Sequence, residues 1–393
     1  MNVTGLDPLV LGRVLFAATA GLHFLFVATT LGLSPLIAVM STRAAVRRND
    51  SHDRALRVLG NVYAVNYAVG IVTGLVMELQ MALVWSGPGS AVYDPIVTLL
   101  ALETVVAFFL ESTLLGVWLA GAGILGRGVR AAVFWGVTVT AYASAALVIG
   151  TNSFLHQPID LGLGLGLAQL AEVVLRPASL TVLTHVAAAS LVVGGFWAAA
   201  AGTRIAARSG DVDAARHLVR LGVGTVAWAA PLSVVTGVAQ FPTVRAAGVA
   251  TAQIGWFGVA LAAMMLVGVA ITALTWMVMV PLTWTGMLLR PGPARALVRY
   301  GVAIPLATTF AGWLYREEAR QPWFVVGRVT TAEAMTPLSS GLLSVMCVAF
   351  VGIGLAAAVT AWRVMYAVMD AAPSSVATDD DAADRDLEPG WIG

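Results

Sequence analysis

The sequence holds one cysteine, Cys347, and no lysine; all 22 basic residues are arginine. A single thiol excludes an internal disulfide and any cysteine-ligated metal cluster. Without lysine there is no Schiff-base or lysine-base chemistry. Charge is scarce, at 11% of 393 residues, and balances to +1, so no electrostatic footprint for nucleic acid is present. No HExxH motif or close histidine pair exists, which argues against zinc. The glycines of IDLGLGLGLAQLAEVVLRP (159–177) lack the preceding strand and the GxGxxG spacing of a dinucleotide loop.

What the chain has is apolar length. It is 59% hydrophobic with a mean hydropathy of +0.86, and its apolar runs approach the ~20 residues that cross a bilayer. The expectation is an all-α, polytopic membrane protein of about nine transmembrane helices, at roughly 9–40, 58–85, 95–121, 131–153, 178–205, 218–243, 253–282, 297–316 and 337–369. The first run, Val10 to Met40, is too long for a cleavable signal peptide. Arginines cluster after spans one, three, five and seven: Arg43, Arg47, Arg54 and Arg57; Arg127 and Arg130; Arg204, Arg208, Arg216 and Arg220; Arg290 and Arg295. The positive-inside rule then puts the N-terminus outside and the C-terminus inside. Arg316, Arg320 and Arg328 after span eight break the pattern and require a local reason. Residues 1–370 are expected to form one transmembrane domain and 371–393, with TDDDAADRDLEPG, an acidic, disordered tail. Segment 159–177 reads as interfacial, and GIVTG (70–74) as a small-xxx-small packing face.

Glu103 and Glu111 lie within one apolar span, ALETVVAFFLESTLLGVWLAG, with no basic residue beside them. Carboxyls in lipid need a proton, a partner or a cofactor, and these two stand about 12 Å apart along a helix. With the topology above, His23, Glu78, Glu103, His185, Met264 and Glu317 come from six spans into the same outer half of the membrane. Imidazole with thioether suits low-spin haem iron, and a lone His or carboxylate suits iron with an open position. Taken singly, His23 or His185 also fits an interhelical hydrogen bond, Met264 a core filler, and Glu78 beside Gln80 a helix contact. His52 and His217 are expected to be solvated in inner loops, and His156 in NSFLHQP is open to either reading.

Five stretches carry a resemblance: GRVLFAATAGLHFLFVATTLG (12–32), NYAVGIVTGLVMELQ (66–80), ALETVVAFFLEST (101–113), the His185 helix, and AGWLYREEARQPW (311–323). In this order they resemble subunit I of the cytochrome bd terminal oxidases. The resemblance implies a nine-helix subunit with its haems near the outer face, in the plasma membrane of a prokaryote. It implies that His23 is the axial ligand of one of two high-spin haems (b595-like and haem d) and Glu317 that of the other. His185 and Met264 would hold a low-spin haem b558. Glu103 would stand beside the oxygen-reducing haem d, Glu111 on a proton route from the inner side, and Trp313 and Arg320 against haem propionates. It further implies an O2-reducing oxidoreductase, a subunit II-like partner or a second related copy, and quinol as the electron donor. Two departures bear on the donor: only TVRAAGVATA separates spans six and seven, where the family has a long hydrophilic loop, and Ala262 stands where the family has an Arg two residues before the b558 methionine. Cytochrome c or another donor is the rival. A gas-binding haem sensor without turnover and a haem-free proton transporter built on the carboxylates are further alternatives.

Overall fold

A chain with so few polar residues folds in lipid only if each span satisfies its own backbone hydrogen bonds, and helices do so. The computed structural model describes residues 6–47, 50–87, 94–160, 166–208, 210–241 and 256–371. The acidic tail beyond Ala371, the TVRAAGVATA connection and residues 161–165 of the interfacial segment lie outside the described residues.

The membrane helices are α1 (Pro8–Arg47), α2 (Asp50–Val84), α3 (Asp94–Thr104), α4 (Ser112–Ala120), α5 (Arg127–His156), α7 (Pro177–Arg208), α8 (Val212–Val238), α9 (Trp256–Leu274), α10 (Val280–Trp284) and α14 (Ser340–Asp370). A π-helical segment, Val105–Glu111, joins α3 to α4, and a second, Thr275–Met279, joins α9 to α10. Among the described residues these make eight continuous spans. The pair α11 (Pro293–Tyr300) and α12 (Ala303–Ala319), bent by 45°, completes a ninth. The expected straight span 297–316 therefore breaks at Gly301, whose Cβ position lies 2.3 Å from the Leu297 carbonyl. The chain is a multi-pass membrane protein.

Several helices overrun their apolar stretches. α2 starts at Asp50 instead of 58 and α1 runs to Arg47, because helical hydrogen bonds continue past the hydrocarbon while arginine stems lie along the apolar surface. α6 (Leu167–Leu175) lies within the expected interfacial segment; Val174 packs on Gly150 of α5. The all-α expectation has one small exception, a hairpin of β1 (Trp323–Val325) and β2 (Val329–Thr330) followed by α13 (Thr331–Ala334). It closes the predicted outer end: Val326 N–H donates to Leu155 O of α5 and Gly87 N–H to Ala334 O. Thr330 caps α13, and its N–H and hydroxyl hold the Glu333 carboxyl below the usual carboxylate range.

The three anomalous arginines have local partners here. Arg320 donates to Glu317 (2.5 Å) and to Phe324 O, Arg316 donates to Asn152 Oδ1 (2.8 Å) and Gln240 Oε1 (3.5 Å), and Arg328 donates to Ile159 O. They tie α12 and the hairpin to α5 and α8, which overrides the charge-sidedness signal.

α1 and α7 are the most enclosed helices, and they cross at Gly32 and Gly194. A Cβ on Gly32 would lie 2.0 Å from Ser190 O; one on Gly194 would lie 2.2 Å from the Gly32 carbonyl. α7 meets α8 the same way at Gly195 and Gly222. Such contact without Cβ atoms lets helices associate where lipid offers no hydrophobic drive. Gly194→Val should therefore destabilise the protein by ~3 kcal/mol or more, the upper end of ordinary overpacking, since the atoms it meets are backbone. Thermal unfolding in detergent measures this; Gly116→Val, where a Cβ meets nothing within 4 Å, should leave the transition in place.

Candidate functional site

α1 and α7 each deliver one histidine to the same kind of seat. His23 Nδ1 lies 3.1 Å from Gly70 O and 3.3 Å from Thr73 Oγ1 on α2. His185 Nδ1 lies 2.9 Å from Ser233 O and 3.3 Å from Thr236 Oγ1 on α8. A carbonyl only accepts, so the hydrogen bonding assigns the proton to Nδ1 and leaves the Nε2 lone pair free on both rings. That is how a ligating histidine is oriented by its second nitrogen. Each threonine donates to the backbone of its own helix, at Val69 and Gly70 or at Leu232 and Ser233. The next residues, Gly74 and Gly237, leave room for the rings: a Cβ at either would lie 3.0 Å from the histidine Cε1.

The seats are an internal repeat. GIVTG (70–74) and SVVTG (233–237) occupy equivalent places, and His23 and His185 each precede their crossing glycine, Gly32 or Gly194, by nine residues. Sequence reasoning took GIVTG for helix packing alone and missed the repeat, although VTG occurs in both helices.

α12 joins the two histidine neighbourhoods through adjacent residues. A Cβ on Gly312 would stand 2.8 Å from Met264 Sδ, so Met264 points into the bundle, whereas Met265 is 39% exposed. One turn along α9, Gly268 packs on Val234, beside the His185 seat. Trp313 meets Phe16, Phe24 and Phe310, and its ring and that of Phe310 cover Gly21, two residues from His23. Ala262 faces outward.

Glu317 is buried near the end of α12, accepting from Asn152 Nδ2 (2.6 Å) and Arg320 Nη2 (2.5 Å). A carboxylate offers about four lone-pair sites, so these two bonds leave it able to ligate. Arg320 Nε, Arg176 Nη2, His156 Nε2 and both amide atoms of Gln80 are buried without a partner among the described residues. These atoms, near Glu317 and the hairpin or on α2, leave valences that a bound group can meet.

The carboxylates of the third span face α2 and α5. Tyr63 donates to Glu111 Oε1 (2.9 Å), with Glu111 3% exposed. Ser144 of α5 donates to Glu103 Oε1 (2.6 Å), and Thr104 donates to Glu78 Oε1 (2.8 Å) across α3 and α2. In an uninterrupted α-helix, positions 103 and 111 would differ by about 80°. The π segment between them adds about one residue, which takes back about 100° and brings both acids close to one face.

One expectation fails for His52, which is 3% exposed and whose ring centroid lies 3.9 Å from that of the half-buried His217. The early start of α2 presses His52 against the first turns of α8.

These donors fit haem. Each imidazole, the thioether and Glu317 stand singly on separate helices, as an iron already held by a macrocycle requires. The family profile described as "Cytochrome bd terminal oxidase subunit I" matches residues 11–248 and 249–373. The chain belongs to the cytochrome bd terminal oxidase subunit I family. For this chain, membership implies haem. It is 32% identical over 197 residues to the "Cytochrome bd ubiquinol oxidase subunit 1" of Bacillus subtilis (strain 168), covering 49% of this chain and 42% of that one. With the "Cytochrome bd-II ubiquinol oxidase subunit 1" of Escherichia coli (strain K12) it is 34% identical over 194 residues, 48% of this chain and 38% of that protein. The chain thus aligns with about two-fifths of each curated relative's length. A chain of the bd oxidase of Geobacillus thermodenitrificans shares the fold, with a TM-score of 0.78 at 19% identity over 94% of this chain and 99% of that one.

Gly237→Val should expel the His185 ring from its seat and lower haem per chain, read by pyridine haemochrome quantitation. Gly224→Val on the same helix, with nothing within 4 Å of its Cβ, should retain full haem.

Proposed function

We propose that this chain is the haem-bearing catalytic subunit of a bd-type oxygen reductase in a prokaryotic plasma membrane. The observation that carries the reading is the pair of matching histidine seats, each presenting Nε2, beside two acids on one helix face, Glu111 buried and Glu103 half-buried. Bound haem supplies electron transfer and the reduction of O2, four electrons and four protons yielding two waters. His185 and Met264 would hold a low-spin b558-like haem, and His23 and Glu317 would each hold one of the high-spin pair, b595-like and d. Trp313 would pack on that pair, and Arg320, with the Nε that Glu317 leaves it, would neutralise propionates. Glu111 takes protons from the inner side and Glu103 delivers them next to the oxygen site. Apolar walls around both acids keep other water out and limit leakage.

Quinol is the proposed donor, in keeping with the names of the curated relatives. The ten-residue connection TVRAAGVATA and Ala262 favour a second reading, a bd-like reductase fed by cytochrome c or another donor. A subunit II-like protein or a second related chain completes the complex.

The test is a reduced-minus-oxidised spectrum of the purified protein with haemochrome analysis, followed by oxygen uptake with quinol and with cytochrome c. Chlorin and b-type bands with oxygen uptake are expected; haem that binds gas without turnover would make the protein a sensor, and a haem-free chain would leave a transporter. Glu103→Gln and Glu111→Gln should keep the spectrum and lower turnover by about 10²-fold or more, the usual scale of lost proton transfer.

A further inference from the structure

Beside Glu111 lies a pair of phenols that packing alone does not require. Tyr63 and Tyr67 are buried one turn apart on α2, with rings 6.1 Å apart at 10°, and the Tyr63 ring meets Phe134 edge-on. A phenylalanine would fill either place. The hydroxyls are what the site uses: Tyr63 donates to Glu111 Oε1 at 2.9 Å, and Tyr67 lies 3.1 Å from Ser112 Oγ. Glu111 and Ser112 are consecutive, so both phenols point the same way, across the gap from α2 to the end of the π segment. α2 and the third span run antiparallel: Glu78 meets Thr104 near Glu103, and both tyrosines meet the span at its other end, Tyr67 on Ser112, the side of Glu111 away from Glu103. Glu103 is in turn held by Ser144 at 2.6 Å. Hydroxyls thus line the approach to Glu111 from the side opposite Glu103.

We propose that Tyr63 and Tyr67 are part of the proton route: Tyr63 fixes the Glu111 carboxyl in its transferring orientation, and Tyr67 with Ser112 passes the proton to Glu111 from the inner side. This rests on the oxygen-reductase reading above. In each passage one proton enters from the inner aqueous side and Glu111 gains one, having given its own to Glu103. The Tyr67 oxygen accepts a proton on one side as its own O–H proton leaves on the other, and rotation restores it. No phenolate forms and no electron moves. Tyr63 keeps its proton and is a positioning residue, engaging one carboxyl oxygen and leaving the other for transfer.

The experiment uses the complete haem-loaded protein with its partner subunit in lipid nanodiscs, comparing Tyr63→Phe, Tyr67→Phe and the double variant with wild type. The readouts are the reduced spectrum, the donor KM, kcat against pH, and the solvent deuterium isotope effect. The spectrum and KM should stay unchanged while kcat falls roughly tenfold, at the low end for a lost proton-transfer group. The isotope effect should rise as proton delivery becomes limiting. Tyr142→Phe removes a hydroxyl that only donates to Leu31 O, and should change none of these. A double variant with wild-type kcat and isotope effect overturns the relay and leaves the oxidase reading intact. Loss of the haem spectrum in Tyr63→Phe also overturns it, since the hydroxyl would then be structural. Wild-type protein that takes up no oxygen with either donor removes the oxidase reading and the relay with it.

Discussion

The contact between Gly32 and Gly194 governs the rest of the molecule. Two helix backbones meet with no side chain between them, so the axes of α1 and α7 cannot shift without breaking van der Waals contact along both. Each histidine stands nine residues outward of this point, two and a half turns along its helix. The depth of both imidazoles is therefore set by one crossing. α2 and α8 then supply a carbonyl, a threonine oxygen and a glycine to each ring in the same order.

Polar groups elsewhere follow from the expense of burying them in lipid. Glu317 shares Arg320 and Asn152, and neighbouring Glu318 pairs with Arg13 of α1 at 2.7 Å, so the outer end of α12 is neutralised locally. Removing one partner of such a pair leaves an uncompensated charge, which costs several kcal/mol more than the pair contributes. Glu103 and Glu111 have hydroxyl donors and no arginine. Hydroxyls support either protonation state of a carboxyl, whereas a guanidinium would lock it ionised. The end of α12 thus holds carboxylates paired with arginine, and the third span holds carboxyls paired with hydroxyls alone. The π segment adds geometry to this difference, since it turns the two acids onto one face at the cost of a less regular helix.

Much of this was legible before any coordinates. Apolar runs of about twenty residues located the spans, because a bilayer imposes one length on every helix. The intramembrane His, Glu and Met residues drew attention before any fold was in view, because an ionisable group in lipid is rare enough to mark a candidate site. The helix ends were less legible: α1 and α2 overrun their apolar stretches and bury His52 against His217, since hydropathy reports where lipid ends and not where helical hydrogen bonds do. The break at Gly301 and the β-hairpin also escaped, as both depend on local contacts with Leu297 and Leu155.

By itself the sequence determined that the chain crosses a membrane about nine times as helices, because that follows from counting residues against a fixed thickness. Only the tertiary structure decided which atoms face one another: that both histidines donate Nδ1 and keep Nε2 free, that Met264 turns inward and Met265 outward, and that Tyr63 reaches Glu111. Those outcomes depend on helix rotation and crossing. Small residues such as Gly32, Gly70 and Gly194 set them through the closeness they permit, and a glycine read alone does not name the helix it will touch.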